Sequence, residues 1–343
     1  MPLARVIKAA SGLALWLAVL GGSLLGYAPA AQASTSCTAS MSNVSFGSVS
    51  PFGGNVDVTA TINYSCTITS ILSSSKVRAC FGIGSGAQGG GALDPRVMTS
   101  GVNSLGFNLY KSAARTDIWG SRSNAYGGVE VTLELGALIG SATQTGSLTV
   151  YARVPSGQLT AVPASDYSNS FSGVHTELIY QYNEFLLGLL PTPASCTSGG
   201  NGGSSGTFPF TVTAAVTASC DPVFTIDGID FGTRGLLVSN FDAVAVIHPR
   251  CTNTTPYQLG LNDGLYASGS LRRMKSTAGA YVGYQLYRDN GRSQRWGNTQ
   301  NVDTVTGSGS GNAQNIQVYG RVAPQATPAA GSYTDTVTVT IYY

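Results

Sequence analysis

One set of landmarks occurs twice in this chain, in the same order, and that repetition limits the fold more than any other feature. Cys37 and Cys66 enclose Phe46-Gly47; Cys220 and Cys251 enclose Phe231-Gly232. Arg96-Val97-Met98 is matched by Arg272-Arg273-Met274, and Gly106-Phe107-Asn108-Leu109-Tyr110 by Gly283-Tyr284-Gln285-Leu286-Tyr287. Nine residues beyond each of those tyrosines stands a Trp-Gly pair, Trp119-Gly120 and Trp296-Gly297. Val150-Tyr151-Ala152-Arg153-Val154 answers Val318-Tyr319-Gly320-Arg321-Val322, and Tyr167 and Tyr333 each open a closing strand. Landmarks met twice in one order mean two copies of one domain.

Each copy reads as β structure. Val56 to Ile62 and Val337 to Tyr343 alternate apolar and polar residues with period two, and Gly, Ser and Asn clusters separate such runs. No convincing amphipathic helix follows Ala33. Many short strands with an early disulfide predict an all-β chain of two tandem immunoglobulin-like Greek-key β-sandwich domains. Residues 197–206, rich in Gly and Ser, read as a flexible linker. The domains are therefore expected at 34–196 and 207–343.

Residues 1–33 carry an export signal. Arg5 and Lys8 precede an uncharged apolar stretch from Ala9 to Leu25, and Ala31-Gln32-Ala33 forms a small-residue cleavage site. A retained membrane anchor is the alternative. All six cysteines follow Ala33, and an even number in an exported chain implies three bridges. The repeat pairs Cys37 with Cys66 and Cys220 with Cys251. Closing a loop of about 30 residues contributes roughly 3–4 kcal/mol for each in the chain-entropy model. Cys80 and Cys196 have no counterparts and are left to pair together. No C-x-x-C spacing occurs and the two histidines stand apart, so no metal or cofactor is expected.

Charge narrows the function classes. Eighteen Lys and Arg face sixteen Asp and Glu, and the two extra cations are Arg5 and Lys8, so residues 34–343 are neutral. A neutral chain has no footprint for a phosphate backbone, which argues against nucleic acid. Gly84 to Gly89 matches G-x-G-x-x-G, but Gly90-Gly91-Ala92-Leu93-Asp94-Pro95 follows where a helix would have to start. Gly202 to Gly206 matches G-x-S-x-G inside the linker, where no strand-to-helix turn presents the serine. His175 and His248 have no motif-placed nucleophile or carboxylate, and Asp227, Asp230, Asp263 and Asp289 are scattered. No enzyme is expected.

The duplicated landmarks resemble the Spore Coat Protein U domain family, the fold of subunits in archaic chaperone–usher pili. The cysteine pairs, both Phe-Gly and Arg-x-Met motifs, both Trp-Gly pairs and the ending Gly331 to Tyr343 carry the resemblance. It implies immunoglobulin-like domains lacking a last strand. A periplasmic chaperone fills the resulting groove, and after passage through an outer-membrane usher the N-terminal strand of the next subunit replaces it. Alternate side chains of the added strand occupy pockets while its backbone extends the ladder.

The resemblance assigns roles that the residues can be measured against. The alternating strand ending at Tyr343 leaves no residues for a further strand, so Val337, Val339, Ile341 and Tyr343 are expected at the edge that takes chaperone or donor strand. Only Ser34-Thr35-Ser36 precedes Cys37, too few for a donor strand, whereas an alternating segment, Phe208 to Thr217, precedes Cys220. A subunit that receives a strand but gives none belongs at the fibre tip, on the cell surface. The expected role is therefore a tip adhesin that promotes surface attachment and biofilm formation through its first domain, with an unspecified surface or receptor as target. Residues 185–190, including Phe185, Leu186 and Leu187, either form the first domain's last strand or pack under the sandwich, pinned by Cys80–Cys196, or else present an exposed apolar loop. Ile71-Leu72 and Leu138-Ile139 are further candidate adhesive loop tips, or else core positions. Two other readings are a secreted, self-complete coat protein and a carbohydrate-binding or hydrolytic protein; the latter needs paired acids or aromatic platforms.

Overall fold

The structure, a computed structural model, describes residues 34–186 and 190–343. The expected export signal and Leu187 lie outside them. Among the described residues no helix is long and apolar enough to cross a membrane.

Strands dominate both copies. The first unit contains β1 (Ser34–Met41), β2 (Val44–Val49), β3 (Val56–Ile83), β4 (Arg96–Ser100) and β5 (Asn103–Tyr110). It continues with β6 (Val129–Val154), β7 (Ala164–Phe171), β8 (Thr176–Leu186), β9 (Gly202–Gly206) and β10 (Phe210–Val216). Hydrogen bonds join them in the order β2-β10-β7-β4-β5-β6-β3-β8-β9, with β1 beside β3. The second unit contains β11 (Thr225–Ile226), β12 (Phe241–His248), β13 (Pro256–Leu261), β14 (Arg272–Ser276) and β15 (Tyr281–Tyr287). β16 (Val305–Ser308), β17 (Ile316–Val322), β18 (Tyr333–Thr334) and β19 (Val339–Tyr342) complete it. Its sheets run β11-β12-β17-β15-β14-β18 and β16-β13-β19.

β3 and β6 are the frame of the first unit. They pair antiparallel from Val56 opposite Val154 to Phe81 opposite Val129. β3 also pairs with β1 along Ile62 to Thr69 and with β8 along Ser73 to Ile83. One strand thus serves two neighbours in succession, which bends the sheet around its core. Alternate residues Ile62, Cys66 and Ile68, then Val77, Ala79 and Phe81, are buried, as a one-sided strand requires. All three expected disulfides are present: Cys37–Cys66, Cys80–Cys196 and Cys220–Cys251.

Three sequence expectations change here. Residues 207–216, expected in the second domain, are hydrogen-bonded into the first unit's sheet as β10. Residues 202–206, expected as flexible linker, form β9 against Leu178 to Tyr182 of β8, because an exposed strand edge satisfies Gly and Ser backbone as readily as any other. Phe185 and Leu186, expected in a last strand or an apolar loop, extend β8 alongside Ser74 and Ser73, while 187–189 lie outside the described residues. The place they were expected to fill is taken by β10.

The repeated motifs are explained by matched contacts. Arg96 is fully buried, with no ion pair among the described residues; its Nε and Nη2 donate to the carbonyls of Gly84, Ile83 and Trp119, and Nη1 to Asn108 Oδ1. Arg272 repeats these bonds with Asn262, Leu261, Trp296 and Gln285 Oε1, and differs in having Asp263 at 3.9 Å. Trp119 Nε1 and Trp296 Nε1 donate to the Phe81 and Leu259 carbonyls, 2.9 and 2.8 Å away. Each arginine therefore ties three separated backbone segments together, with its methionine neighbour on the core side.

A second repeated cluster lies at the surface. Asp57 accepts two bonds from Arg153, with Arg115 at 3.4 Å; Asp242 accepts two from Arg321, with Arg292 at 3.3 Å. The bonds from Arg153 and Arg321, helped by the charges of Arg115 and Arg292, hold both carboxyls below the ordinary 3.8. A depressed carboxylate stabilises the fold above its unfolded value and loses that contribution as pH falls through the folded value. Denaturant midpoints are therefore expected to fall below about pH 4, by roughly 0.5–1 kcal/mol for each cluster given its exposure. Asp57→Asn with Asp242→Asn should flatten that part of the profile.

Candidate functional site

The first unit shows how a strand is received. β10 runs parallel to β2, Val212 opposite Val44 and Val216 opposite Val49. It runs antiparallel to β7, Phe210 opposite Phe171 and Ala214 opposite Tyr167. Phe210, Val212, Ala214 and Val216 are buried, whereas Thr213 is exposed. Beside β2 the register slips, so that Phe46 and Gly47 together oppose Ala214. Gly47 takes a φ of 64° there, a bulge position that disfavours other residues. The bulge turns Phe46 inward, edge-on to Phe107 at 6.2 Å.

The second unit builds both walls of the same slot. Gly232 has a φ of 71°, and Phe231 packs edge-on against Tyr284 at 6.0 Å. On the other side Lys275 pairs with Thr334 as Thr99 pairs with Ser168. The Tyr333 hydroxyl donates to the Ala329 carbonyl as Tyr167 does to Val162. Tyr284 secures this wall by donating to Asp335 at 2.8 Å; burial and that bond keep its hydroxyl neutral well above the usual tyrosine range. Between the walls, however, no strand lies among the described residues.

A cavity of about 700 Å³ occupies the slot, lined among others by Phe231, Arg234, Leu237, Met274, Val282 and Tyr333. Met98 and Tyr167 are fully buried in the first unit, but their counterparts Met274 and Tyr333 are only partly covered. Leu236 and Val238, on either side of Leu237, are exposed. Walls at 229–237 and 327–332 that belong to no strand, beside an apolar lining, favour an added strand.

The four apolar candidates of the first unit come together far along the β3–β6 ladder. Ile71 pairs with Ile139, and Leu72 and Leu138 adjoin them. Ile71, Leu138 and Ile139 are 59%, 78% and 83% exposed. They are not separate loop tips but one apolar crest, flanked by hydroxyls such as Thr69 and Ser141, which touch at 2.9 Å.

A family model for the Spore Coat Protein U domain matches residues 26–172 and 206–340. The chain belongs to that family. Protein U of Myxococcus xanthus is 34% identical over 154 residues, 42% of this chain and 75% of that protein. Among solved structures the chain is similar to the CsuC–CsuE chaperone–tip adhesion subunit pre-assembly complex from archaic chaperone-usher Csu pili of Acinetobacter baumannii. That likeness has 19% identity, covers 90% of this chain and 100% of the other, and has a TM-score of 0.46. It is also similar to the CupB6 tip adhesin from Pseudomonas aeruginosa, at 12% identity over 90% of this chain and 95% of that one, with a TM-score of 0.28. The second family match begins at residue 206, before β10. In sequence β10 thus leads the second Spore Coat Protein U domain, while in space it closes the first.

The residues expected at the accepting edge are placed elsewhere. Val339, Ile341 and Tyr342 belong to β19, already paired with β13, and Val337, Val339 and Ile341 pack against the second core. Tyr343 is exposed and lies beyond that strand. None of the four expected residues lines the cavity, which is formed by 229–235, Leu237 and 327–333 with Phe241, Met274, Val282 and Val322. The strand ladder explains the shift: the final strand splits between two sheets, and its earlier part borders the slot. Phe185 is partly buried in β8, and Leu186 is described only as part of that strand.

Other repeated residues carried no motif. Gln158 and Gln325 each bond both backbone groups of Gly106 and Gly283, and Arg115 and Arg292 both take a φ of 55°. Aligning the copies beyond their landmarks would have found them. His248 bonds Asn315 at 2.8 Å, with Asp227 at 3.6 Å. The sulfurs of Cys80 and Cys196 lie 3.8 Å from Glu130, but being bonded to each other they offer no thiolate to a metal.

Proposed function

We propose that this chain is the tip adhesin of an archaic chaperone–usher pilus. The single observation that carries the reading is the strand slot, closed by β10 in the first copy and open in the second. A periplasmic chaperone covers the open slot during export, the outer-membrane usher receives the pair, and the next subunit's N-terminal strand takes the chaperone's place. Apolar side chains of Val or Phe size entering at inward positions, each contributing about 1.5–3 kcal/mol, make such a joint very stable. β10 leads the second copy, the position of a donor strand, but is spent inside its own chain and is not available to a neighbour. That supports the fibre end as the chain's position.

The first unit is the binding head, closed within itself and stapled by two disulfides. Its crest of Ile71, Leu72, Leu138 and Ile139 faces solvent, and contiguous exposed apolar surface marks interaction. Attachment through that crest seeds a biofilm on apolar surfaces. On fibres carrying a gold label on the first unit, the label is expected at one end only; label along the shaft would overturn the tip assignment. Fibres bearing Ile71→Ser, Leu138→Ser and Ile139→Ser together are expected to keep their number and length. Their attachment to a hydrophobic plastic should fall about tenfold or more, since three apolar side chains leave the contact. Undiminished attachment would remove the crest from the binding role.

A further inference from the structure

We infer that the strand received by the second unit carries a small residue opposite Tyr333 and an acidic residue beside Arg234. The inference rests on the proposed strand exchange and specifies the partner. The first unit supplies the template, because both walls of its slot have matched positions in the second.

On one wall Ala214 lies directly opposite Tyr167, and both are buried. Two inward residues facing each other across antiparallel strands compete for one volume. The tyrosine ring takes most of it and leaves room for a methyl group. Tyr333 stands at the same register, set by Lys275 opposite Thr334, and its hydroxyl is tied to a backbone carbonyl as that of Tyr167 is. A ring held at both ends cannot swing away, so the incoming strand must be small there.

On the other wall the copies differ. Counting from the bulge glycines, Val49 corresponds to Arg234. Val49 is buried opposite Val216, the last inward residue of β10. Arg234 borders the cavity, with its guanidinium 5.0 Å from the Phe241 ring and Nε donating to the Phe231 carbonyl. Among the described residues no carboxylate lies within 4.0 Å of it. Covering this cation with valine strips water from it without a partner, whereas a carboxylate pairs with it. The partner is thus a strand with β10's direction, apolar at the positions of Phe210 and Val212, small at that of Ala214 and acidic at that of Val216.

The test uses the full chain with a C-terminal Gly/Ser linker and a copy of residues 208–216, read by hydrogen exchange in 229–237 and 327–337. In the copied segment only, Ala214→Phe is expected to lower protection about tenfold or more, as overpacking would. Val216→Glu in the copy should protect about three- to tenfold better than Val216→Lys at low salt, in the range of a partly desolvated ion pair. Arg234→Glu in the chain should invert that order, a result that general loss of folding would not give. Equal protection by the Ala and Phe copies, or by the Glu and Lys copies, overturns the inference and leaves the open slot standing. If no copy protects either wall, the strand-exchange reading falls with it.

Discussion

Val212→Asp is expected to unfold the first unit while the second keeps its exchange protection. Val212 is fully buried between β2 and β7, although it lies 16 residues beyond the last cysteine of that unit. A carboxylate there is buried without a partner or opens the slot; either costs about 4 kcal/mol or more, a large part of a domain's stability. The neighbour sets the control. Thr213 points outward, so Thr213→Asp should stay within about 0.5 kcal/mol of the parent. Exchange followed separately in 56–83 and 256–261 reports the two units. Equal loss in both, or no loss in the first, would show that β10 is not the closing strand.

The second large effect is expected from Arg272→Met. The substitution keeps apolar volume but leaves the carbonyls of Leu261, Asn262 and Trp296, and Gln285 Oε1, without their donor. Several buried acceptors lost together should lower stability of the second unit by roughly 3–5 kcal/mol. Arg273→Met, next in sequence, removes bonds to the Tyr266 and Ala267 carbonyls, the second a long one at 3.5 Å, and a stacking contact 4.3 Å from the Tyr281 ring centroid. About 1 kcal/mol is expected from it. Urea unfolding of the two variants checks the contrast, and near-equal midpoints would refute the role given to the buried guanidinium.

These effects show which parts of the fold were legible. Arg-x-Met, Trp-Gly and Phe-Gly could be read because each serves one geometric need that both copies share: a carbonyl clamp, an indole bond to a strand, a bulge. The alternation from Phe208 to Val216 was also legible as a strand that fits a pilin groove. Its destination was not, because alternation defines a buried face without saying which core it enters. β9 escaped notice for a related reason. Gly202 to Gly206 has no strand propensity, and only the open edge of β8 gives it partners.

The candidate site divides in the same way. The apolar pairs at 71–72 and 138–139 stood out beside Ser and Gly, but their convergence depends on the β3–β6 register across 68 residues of chain. The accepting edge was expected at Val337 to Tyr343 because that run is the most strand-like in the chain. The slot instead borders 327–333, where Thr327-Pro328-Ala329-Ala330-Gly331 reads as loop. A groove that awaits a strand is defined by where the neighbouring strands leave room, and no residue pattern marks that.

Thermal unfolding of the second unit, with and without a tethered copy of residues 208–216, tests the open slot most directly. Four inward side chains entering the cavity should add several kcal/mol, which for a unit of this size means a midpoint higher by about 20 °C or more. An unchanged midpoint, with the walls at 229–237 and 327–337 exchanging as before, would mean that the second unit does not accept a strand.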